Sequence, residues 1–163
     1  MELFEQGHKR RMLAGQFIWF AAWICVTAVG LWLRPDPSGH GTHQQLGFPP
    51  CPSVMIFDRP CPGCGLTTSW TALLHGDLLR SFQAHALGPL LYFAFTVSAW
   101  LCFIGFVRSA RLVTESKLFN GALMTVVVLF VAFGGIRMLL MPGFAEPSEK
   151  LLYQLARGAK SRS

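Results

Sequence analysis

Three of the five cysteines lie within fourteen positions, at Cys51, Cys61 and Cys64, and they are the residues of this chain best suited to chemistry. They belong to the cysteine loop, residues 49–77, which reads PPCPSVMIFDRPCPGCGLTTSWTALLHGD. Cys61 and Cys64 form a C-P-x-C-G turn, a compact geometry in which two sulfur atoms face one another. Two facing thiols suit a shared metal ion, a disulfide or a redox pair.

A metal site is one interpretation of this pattern. Backbone N–H groups of such a turn can donate to thiolate sulfur, with Pro62 in the turn and Gly65 permitting close approach. Zinc takes four ligands, and the softer Cu(I) also suits thiolates. The cysteines supply three ligands, and His75 is the best-placed fourth because it lies one short helix beyond the turn. Other histidines could serve instead: His85, His40 and His43.

Thiol–disulfide chemistry is the competing interpretation. Cys61 and Cys64 precede a predicted helix, whose partial positive charge at the N-terminus favours the thiolate form. In an oxidising compartment the default is a structural disulfide from Cys51 to one of the other two, which would hold the loop. The sequence offers no quinone or flavin motif to move electrons onward, and no catalytic constellation. It therefore favours a protein that is not an enzyme, and it leaves the structural disulfide, the metal site and the redox pair open.

Two short helices are predicted immediately after the cysteine turn. The hydroxyl run that begins at Thr67 offers N-cap acceptors for a first helix over residues 69–75. Gly76 is placed to end that helix in a left-handed conformation. Asp77 is placed to cap a second helix over residues 78–85. Neither helix can span a membrane, so both are expected to rest on its surface or on the spanning helices.

Three apolar blocks surround these elements. The chain of 163 residues is 52% hydrophobic and only 13% charged, which is about half the usual charged share of a soluble protein. The runs 17–33, 87–107 and 118–141 each approach the roughly 20 residues that a spanning helix needs, and only Arg137 interrupts the last. We therefore predict an all-α membrane protein. It forms a single domain over residues 1–163, with about three transmembrane helices and short interfacial helices after the Cys-rich loop.

Arg137 is the one charge well inside the third block. Because it lies near the end of that block, its long side chain is expected to reach the membrane interface. The alternative is a functional role, in which Arg137 is the partner of Asp77 or of a bound anion.

Basic residues beside the apolar blocks determine the predicted topology. The net charge is +6, but the basic residues form short clusters next to apolar runs, so no nucleic-acid partner is expected. Because basic residues prefer the cytoplasmic side, the clusters 9–11 and 108–117 place the N-terminus and the loop between the second and third spans in the cytoplasm. The cysteine loop then lies on the outer, non-cytoplasmic side of the cell (inner) membrane. Residues 148–160 are predicted to form an amphipathic helix along the outer interface.

The motif extends beyond the cysteines, from Pro50-Cys51-Pro52 through the run Cys61 to Thr67 and on to L-L-H-G-D. With this combination the chain resembles a bacterial family of small membrane proteins known only as a domain of unknown function, with the core pattern P-C-P-x8-C-P-G-C-G-x-T. The resemblance covers roughly residues 49–107. The chain departs from the family at Thr68, often arginine there, and at Ala86, often proline. The resemblance implies a membrane module and supplies no mechanism.

The expected function is that of an accessory or interaction subunit of a membrane assembly, in which the cysteine turn shapes a loop. Besides the lipid bilayer, a membrane-protein partner or a second copy of the chain is expected, because small residues repeat at four-residue steps in the second span and permit close helix contact. These small residues are Ala94, Ser98 and Cys102. The alternatives are a membrane protein that binds Zn or Cu and a membrane thiol–disulfide oxidoreductase.

Overall fold

The computed structural model describes residues 4–6, 13–112, 117–141, 143–144, 147, 150–151 and 155. In chain order the elements are β1 Phe4–Gln6, α1 Ala14–Trp32, a 3-10 helix Thr42–Leu46, α2 Pro52–Phe57, α3 Leu66–Leu74, α4 Leu78–Ala84, α5 Gly88–Val107, β2 Ala110–Leu112 and α6 Lys117–Leu140. The predicted tail helix over residues 148–160 lies almost entirely outside the described residues.

Three of the helices are long and apolar enough to cross a membrane, over Ala14–Trp32, Gly88–Val107 and Asn120–Leu140. They confirm the predicted all-α membrane fold with three spans. The second span begins with Pro89 near its N-terminus, where a missing N–H costs no hydrogen bond and the fixed φ suits a helix. The first span ends where Leu33 turns to an extended conformation, just before Arg34 and Pro35.

Helices α1 and α5 pack side by side in opposite directions. Aromatic rings interlock along the pair, and the closest pair of ring centroids, Phe20 and Phe103, is separated by 4.4 Å. Polar side chains also meet across the contact. The hydrogen bonds are Trp19 Nε1 to Ser98 Oγ at 3.1 Å, Trp23 Nε1 to Thr96 Oγ1 at 3.0 Å, and Thr27 Oγ1 with Tyr92 OH at 2.7 Å. Packing and interhelical hydrogen bonds are the forces that associate helices in lipid, where the apolar solvent removes the hydrophobic driving force.

A small two-stranded ribbon joins the segment before α1 to the segment after α5. Strand β1 is antiparallel to β2, with Phe4 opposite Leu112 and Gln6 opposite Ala110. The ribbon was not predicted, because three-residue strands are too short to show an alternating pattern. It brings residues 4–6 and 110–112 to the same end of the helix pair, away from the connection between α1 and α5.

That connection, residues 33–87, is compact and contains buried hydroxyl groups. Thr42 Oγ1 donates to Thr68 Oγ1 at 2.8 Å, and the hydroxyls of Ser69 and Ser81 are 3.0 Å apart. These contacts pull the 3-10 helix, α3 and α4 together. Helix α2 and the 3-10 helix were not predicted.

The predicted start of α3 is wrong. The helix begins at Leu66, its N-cap is Gly65, and no side chain caps it. The hydroxyls of Thr68 and Ser69 are therefore inside the helix and bond to other segments, whereas Thr67 is exposed. The predicted boundary between the two short helices is confirmed: Gly76 is left-handed at φ 83°, and the Asp77 carboxylate accepts from the backbone N–H of Arg80 at 2.9 Å.

Candidate thiol and metal site

The three predicted cysteines meet in space. The sulfur atoms of Cys51, Cys61 and Cys64 all lie within 4.8 Å of one another, and those of Cys61 and Cys64 are 3.0 Å apart. Cys64 is buried and the other two are half-buried. We call this group the cysteine site. None of the five cysteines, all of them among the described residues, is in a disulfide in this structure.

Helix α2 brings the first cysteine to the other two. Cys51 is the N-cap residue of α2, and Pro52 begins the helix. After only six residues the helix ends at Asp58, whose left-handed conformation, φ 54°, reverses the chain. Val54 is fully buried against Cys64, so the helix packs on the site it helps to build.

Backbone groups of the C-P-x-C-G turn point at the sulfur atoms. The N–H of Cys61 donates to Cys64 Sγ at 3.1 Å, and the backbone N–H groups of Gly63 and Cys64 interact with the Cys61 sulfur. The turn is closed by a hydrogen bond from the Cys64 N–H to the Cys61 carbonyl at 3.1 Å. Such N–H···S contacts stabilise sulfur in its negatively charged form.

Gly65 is required immediately after the turn for two reasons. Its φ of +87° is a left-handed conformation that side chains rarely adopt. A Cβ atom there would also collide with the Ala84 carbonyl oxygen and lie 2.8 Å from that of Gly39. The end of α4, at Ala84, and the loop that contains Gly39 therefore touch the backbone at the start of α3.

The two neighbouring thiols differ in acidity. The pKa of Cys61 is lowered to about 5, chiefly because the Cys64 thiol donates a hydrogen bond to its sulfur. The same contact, together with burial, raises the pKa of Cys64. At neutral pH the site therefore holds one thiolate hydrogen-bonded to one thiol, which is the state of a metal ligand or a nucleophile.

Helix α6 closes the site from the membrane side through Arg137. The Arg137 Nη1 atom donates to the Cys64 carbonyl oxygen at 2.6 Å, and Nη2 donates to that of Ala84 at 2.9 Å. The extension of this side chain to the membrane interface stays a prediction, and its hydrogen bonds go to two backbone carbonyl groups of the connection between α1 and α5. Its partners are these backbone groups rather than Asp77.

A close approach of backbones accompanies these hydrogen bonds. At Gly134, one turn before Arg137, a Cβ atom would lie 2.5 Å from Pro62 Cα. Only a glycine allows α6 to contact the cysteine turn at this distance.

The predicted fourth ligand, His75, is not among the residues that converge with the three sulfurs. Its Nδ1 lies 2.8 Å from the Thr71 carbonyl oxygen, one turn earlier in the chain. The loop histidines make other contacts. The ring of His40 lies 4.5 Å from that of Phe144, and His43 Nε2 is 3.3 Å from the Pro49 carbonyl oxygen.

His85, one of the alternative fourth ligands, is a neighbour of the site but is not among the residues that converge with the three sulfurs. It is buried, its Nε2 lies 3.0 Å from the Pro62 carbonyl oxygen, and its ring contacts Phe130 and Phe133 of α6. Since a carbonyl only accepts, Nε2 carries the proton, and burial lowers the pKa of the ring. The signal available in the sequence was a histidine placed just before an apolar span.

A separate cavity of about 310 Å³ lies between α1 and α3. Its lining is mostly apolar and includes Cys25, Gly30 and Trp70, but none of the three cysteines of the site. The chemistry-bearing residues and this cavity are therefore distinct features.

Residues 51–99 match the model of a family described as "Protein of unknown function (DUF2752)". The matched stretch contains the whole cysteine site, α3, α4 and the first part of α5. The match confirms the predicted resemblance to a domain of unknown function. No curated protein and no solved structure matches the chain.

Proposed function

We propose that the protein binds a soft metal ion, Cu(I) or Zn²⁺, through the thiolates of Cys51, Cys61 and Cys64. The observation that carries this proposal is the convergence of three sulfurs within 4.8 Å. Cysteines that served only to fill space would not need to meet at one point. Thiolate is the ligand type that soft ions prefer.

The distances are compatible with one shared ion. With metal–sulfur bonds of about 2.3 Å, the sulfur atoms around one ion lie about 3.8–4.0 Å apart. The observed separations run from 3.0 Å to at most 4.8 Å, so side-chain movements below about 1 Å would suffice for coordination. A lowered pKa of Cys61 and N–H groups directed at sulfur favour the thiolate form that a metal needs.

The described residues offer three ligands, and this number bears on how the ion is held. A zinc ion with three protein ligands keeps an open fourth position, as in catalytic rather than structural sites. Cu(I) is favoured by an all-sulfur donor set. Either ion would be exchangeable, which suits metal handling at a membrane surface.

Elemental analysis of the purified full chain tests the proposal. After loading with Zn²⁺ or Cu(I) and desalting, we expect about one ion per chain, and below about 0.2 in the Cys61→Ser variant. Cys102→Ser is the matched control, because Cys102 lies in α5 outside the cysteine site, and it should retain full loading. Wild-type protein that holds less than about 0.2 ion of either metal would remove the proposal.

Thiol–disulfide exchange is the second candidate, favoured by the 3.0 Å separation of Cys61 and Cys64 sulfurs. In this reaction the Cys61 thiolate attacks a substrate disulfide and forms a mixed disulfide, releasing one substrate thiolate. The Cys64 thiol then gives its proton to the released thiolate, attacks the mixed disulfide as a thiolate and releases the second substrate thiolate. The substrate disulfide is thereby reduced, and the cysteine pair is oxidised.

We infer the orientation of the chain in the membrane from the ribbon and from the basic clusters beside it. Pairing of residues 4–6 with 110–112 supports placing the N-terminus and the α5–α6 connection on one side of the membrane. Their basic neighbours, residues 9–11 and 108–117, favour the cytoplasm, with the cysteine site outside. Membrane-impermeant thiol labelling of intact cells, after metal removal and mild reduction, should modify the site from outside. Modification only after lysis would invert this orientation.

An accessory role in a membrane assembly is supported by the exposed surface of α6. Each residue from 120 to 129 is exposed in the described structure, and a neighbouring helix could cover this apolar stretch. Purification in mild detergent tests this role: a co-purifying membrane protein or a dimer is expected, and a monodisperse monomer alone would contradict it.

A further inference from the structure

We propose that Arg137 compensates the negative charge of the cysteine site and positions its ligands from within the third span. This inference rests on the proposed metal binding and deepens it. A positioning residue of this kind acts on the bound ion through the turn that holds Cys64, without touching the ion.

The first observation is geometric. One guanidinium group donates to carbonyls of two separate elements, Cys64 before α3 and Ala84 at the end of α4. A planar guanidinium presents its donors in a fixed fork, so it fixes two acceptors relative to one another better than a lysine can. The two carbonyls meet beside Gly65, where the backbone of α3 leaves no room for a side chain. Arg137 therefore fixes the segment that presents Cys64.

The second observation concerns charge. Three thiolates with one Zn²⁺ carry a net charge of −1, and with one Cu(I) a net charge of −2. A charge inside a spanning helix is costly and usually has a specific partner. Arg137 donates to two neutral carbonyls and lies 5.5 Å from the centre of the Phe144 ring, and none of these partners carries a full negative charge. An anionic metal–thiolate centre would supply that counter-charge.

Neighbouring cations are engaged elsewhere. Arg59 donates to the carbonyl oxygens of Met138 and Leu139 in α6, and Lys150 forms an ion pair with Asp58 at 2.8 Å. Within the part of the chain that the structure describes, Arg137 is the cation that donates a hydrogen bond to the backbone of a cysteine of the site.

The test is a metal competition experiment on the full chain in detergent, with a chromophoric chelator and Zn²⁺ or Cu(I). Arg137→Gln keeps an amide donor but removes the charge, and we expect the affinity to fall about 10–100-fold. Arg137→Lys keeps the charge and should stay within about 10-fold of wild type. Arg59→Gln is the matched control, because it also removes a donor to backbone carbonyls near the site, and it should change affinity by less than about 3-fold.

A second readout separates charge compensation from a merely structural role. With Co²⁺ as a spectroscopic probe, removal of the nearby positive charge should shift the thiolate-to-metal charge-transfer band in Arg137→Gln and leave it in place in Arg59→Gln. Equal affinity loss in the Gln and Lys variants, with an unshifted band in both, would overturn the charge role. If Arg137→Gln does not purify as a folded protein, Arg137→Lys decides: binding within about 10-fold supports the inference, and a loss above about 100-fold overturns it.

The failures of the two proposals are distinguishable. Wild-type protein that binds no metal overturns the metal function and the role of Arg137 with it. Wild-type protein that binds metal, with an Arg137→Gln variant of equal affinity, overturns the role of Arg137 alone.

Discussion

The first two spans and the third span are held in the fold in different ways. Helices α1 and α5 contact one another over most of their length, from the rings of Phe17 and Phe106 to the hydroxyls of Thr27 and Tyr92. In α6, residues 120–129 are exposed, and the described ring contacts and hydrogen bonds with other segments lie from Phe130 onwards. The α1–α5 pair is therefore a frame, whereas α6 is attached at one end, on the cysteine site.

The difference follows from side-chain composition. Helices α1 and α5 carry indole and hydroxyl groups that bond across the pair, and in lipid such packing and hydrogen bonding replace the hydrophobic driving force. The first half of α6 offers mainly aliphatic side chains, as in the run Val126 to Leu129. Its second half offers Gly134 and Arg137, which contact the cysteine turn. The state of the cysteine site should therefore affect α6 and leave the frame unchanged.

The largest expected effect is the difference in acidity between Cys61 and an ordinary thiol. Because its pKa is lowered to about 5, metal-free protein should hold Cys61 as thiolate above that pH and lose it as the pH falls through 5. At pH 6 the thiolate fraction would exceed that of an ordinary thiol, with a pKa near ~8.5, on the order of 100-fold. The measurement is the pH dependence of alkylation, with Cys61 identified by mass spectrometry.

Cys64→Ala provides the control for that experiment, because it removes the thiol that donates to Cys61. The midpoint of alkylation should then move upward, towards the ordinary value. A wild-type midpoint near ~8.5 would contradict the thiol-exchange candidate and leave metal binding to be decided by elemental analysis.

The next contrast is between two glycines that share a left-handed conformation. Gly65→Ala should destabilise the protein by about 1–2 kcal/mol from the unfavourable φ and by about 1–3 kcal/mol more from collision with carbonyl groups. At Gly76 the φ is also positive, 83°, but a Cβ meets nothing within 4 Å, so Gly76→Ala should cost only the first amount. Thermal unfolding in detergent compares the two variants, and equal losses would show that the contact at Gly65 is unimportant.

The sequence predicted those features that depend on a local pattern. A run of about 20 uncharged residues identifies a span wherever it is packed, and the three predicted spans are confirmed. Gly76 and Asp77 were predicted correctly for the same reason, since a left-handed helix end and a capping carboxylate act on adjacent residues. The convergence of Cys61 and Cys64 likewise follows from a spacing of three.

The features that were not predicted depend on distant segments. The acceptors of Arg137 are backbone carbonyls 73 and 53 residues away, and no side-chain pattern records them. The hydroxyls of Thr68 and Ser69 resemble N-caps locally, but they bond to Thr42 and Ser81 instead. At Thr68 and Ser69, tertiary hydrogen bonds override the local preference of these residues for an N-cap.

Attachment of α6 can be broken by adding volume at its contact with the cysteine turn. Gly134→Leu places side-chain atoms where Pro62 lies, since even a Cβ would be 2.5 Å from its Cα, and overpacking of this kind costs about 1–3 kcal/mol. We expect lower thermal stability and reduced metal loading. Gly135→Leu is the matched control, because a Cβ there meets nothing within 4 Å. Similar behaviour of the two variants would contradict attachment at this point.

The smallest expected effect is in the frame, at the hydrogen bond between the hydroxyls of Thr27 and Tyr92, 2.7 Å apart. Tyr92→Phe removes this bond but retains the ring that packs against Trp70 at 5.6 Å. Interhelical hydrogen bonds in membrane proteins contribute about 0.6 kcal/mol on average, so unfolding should change slightly and metal loading not at all. Thr27→Val removes the same bond from α1 and should give the same small loss. A large loss of metal in either variant would show that the frame and the cysteine site are coupled, contrary to the distinction between the two regions.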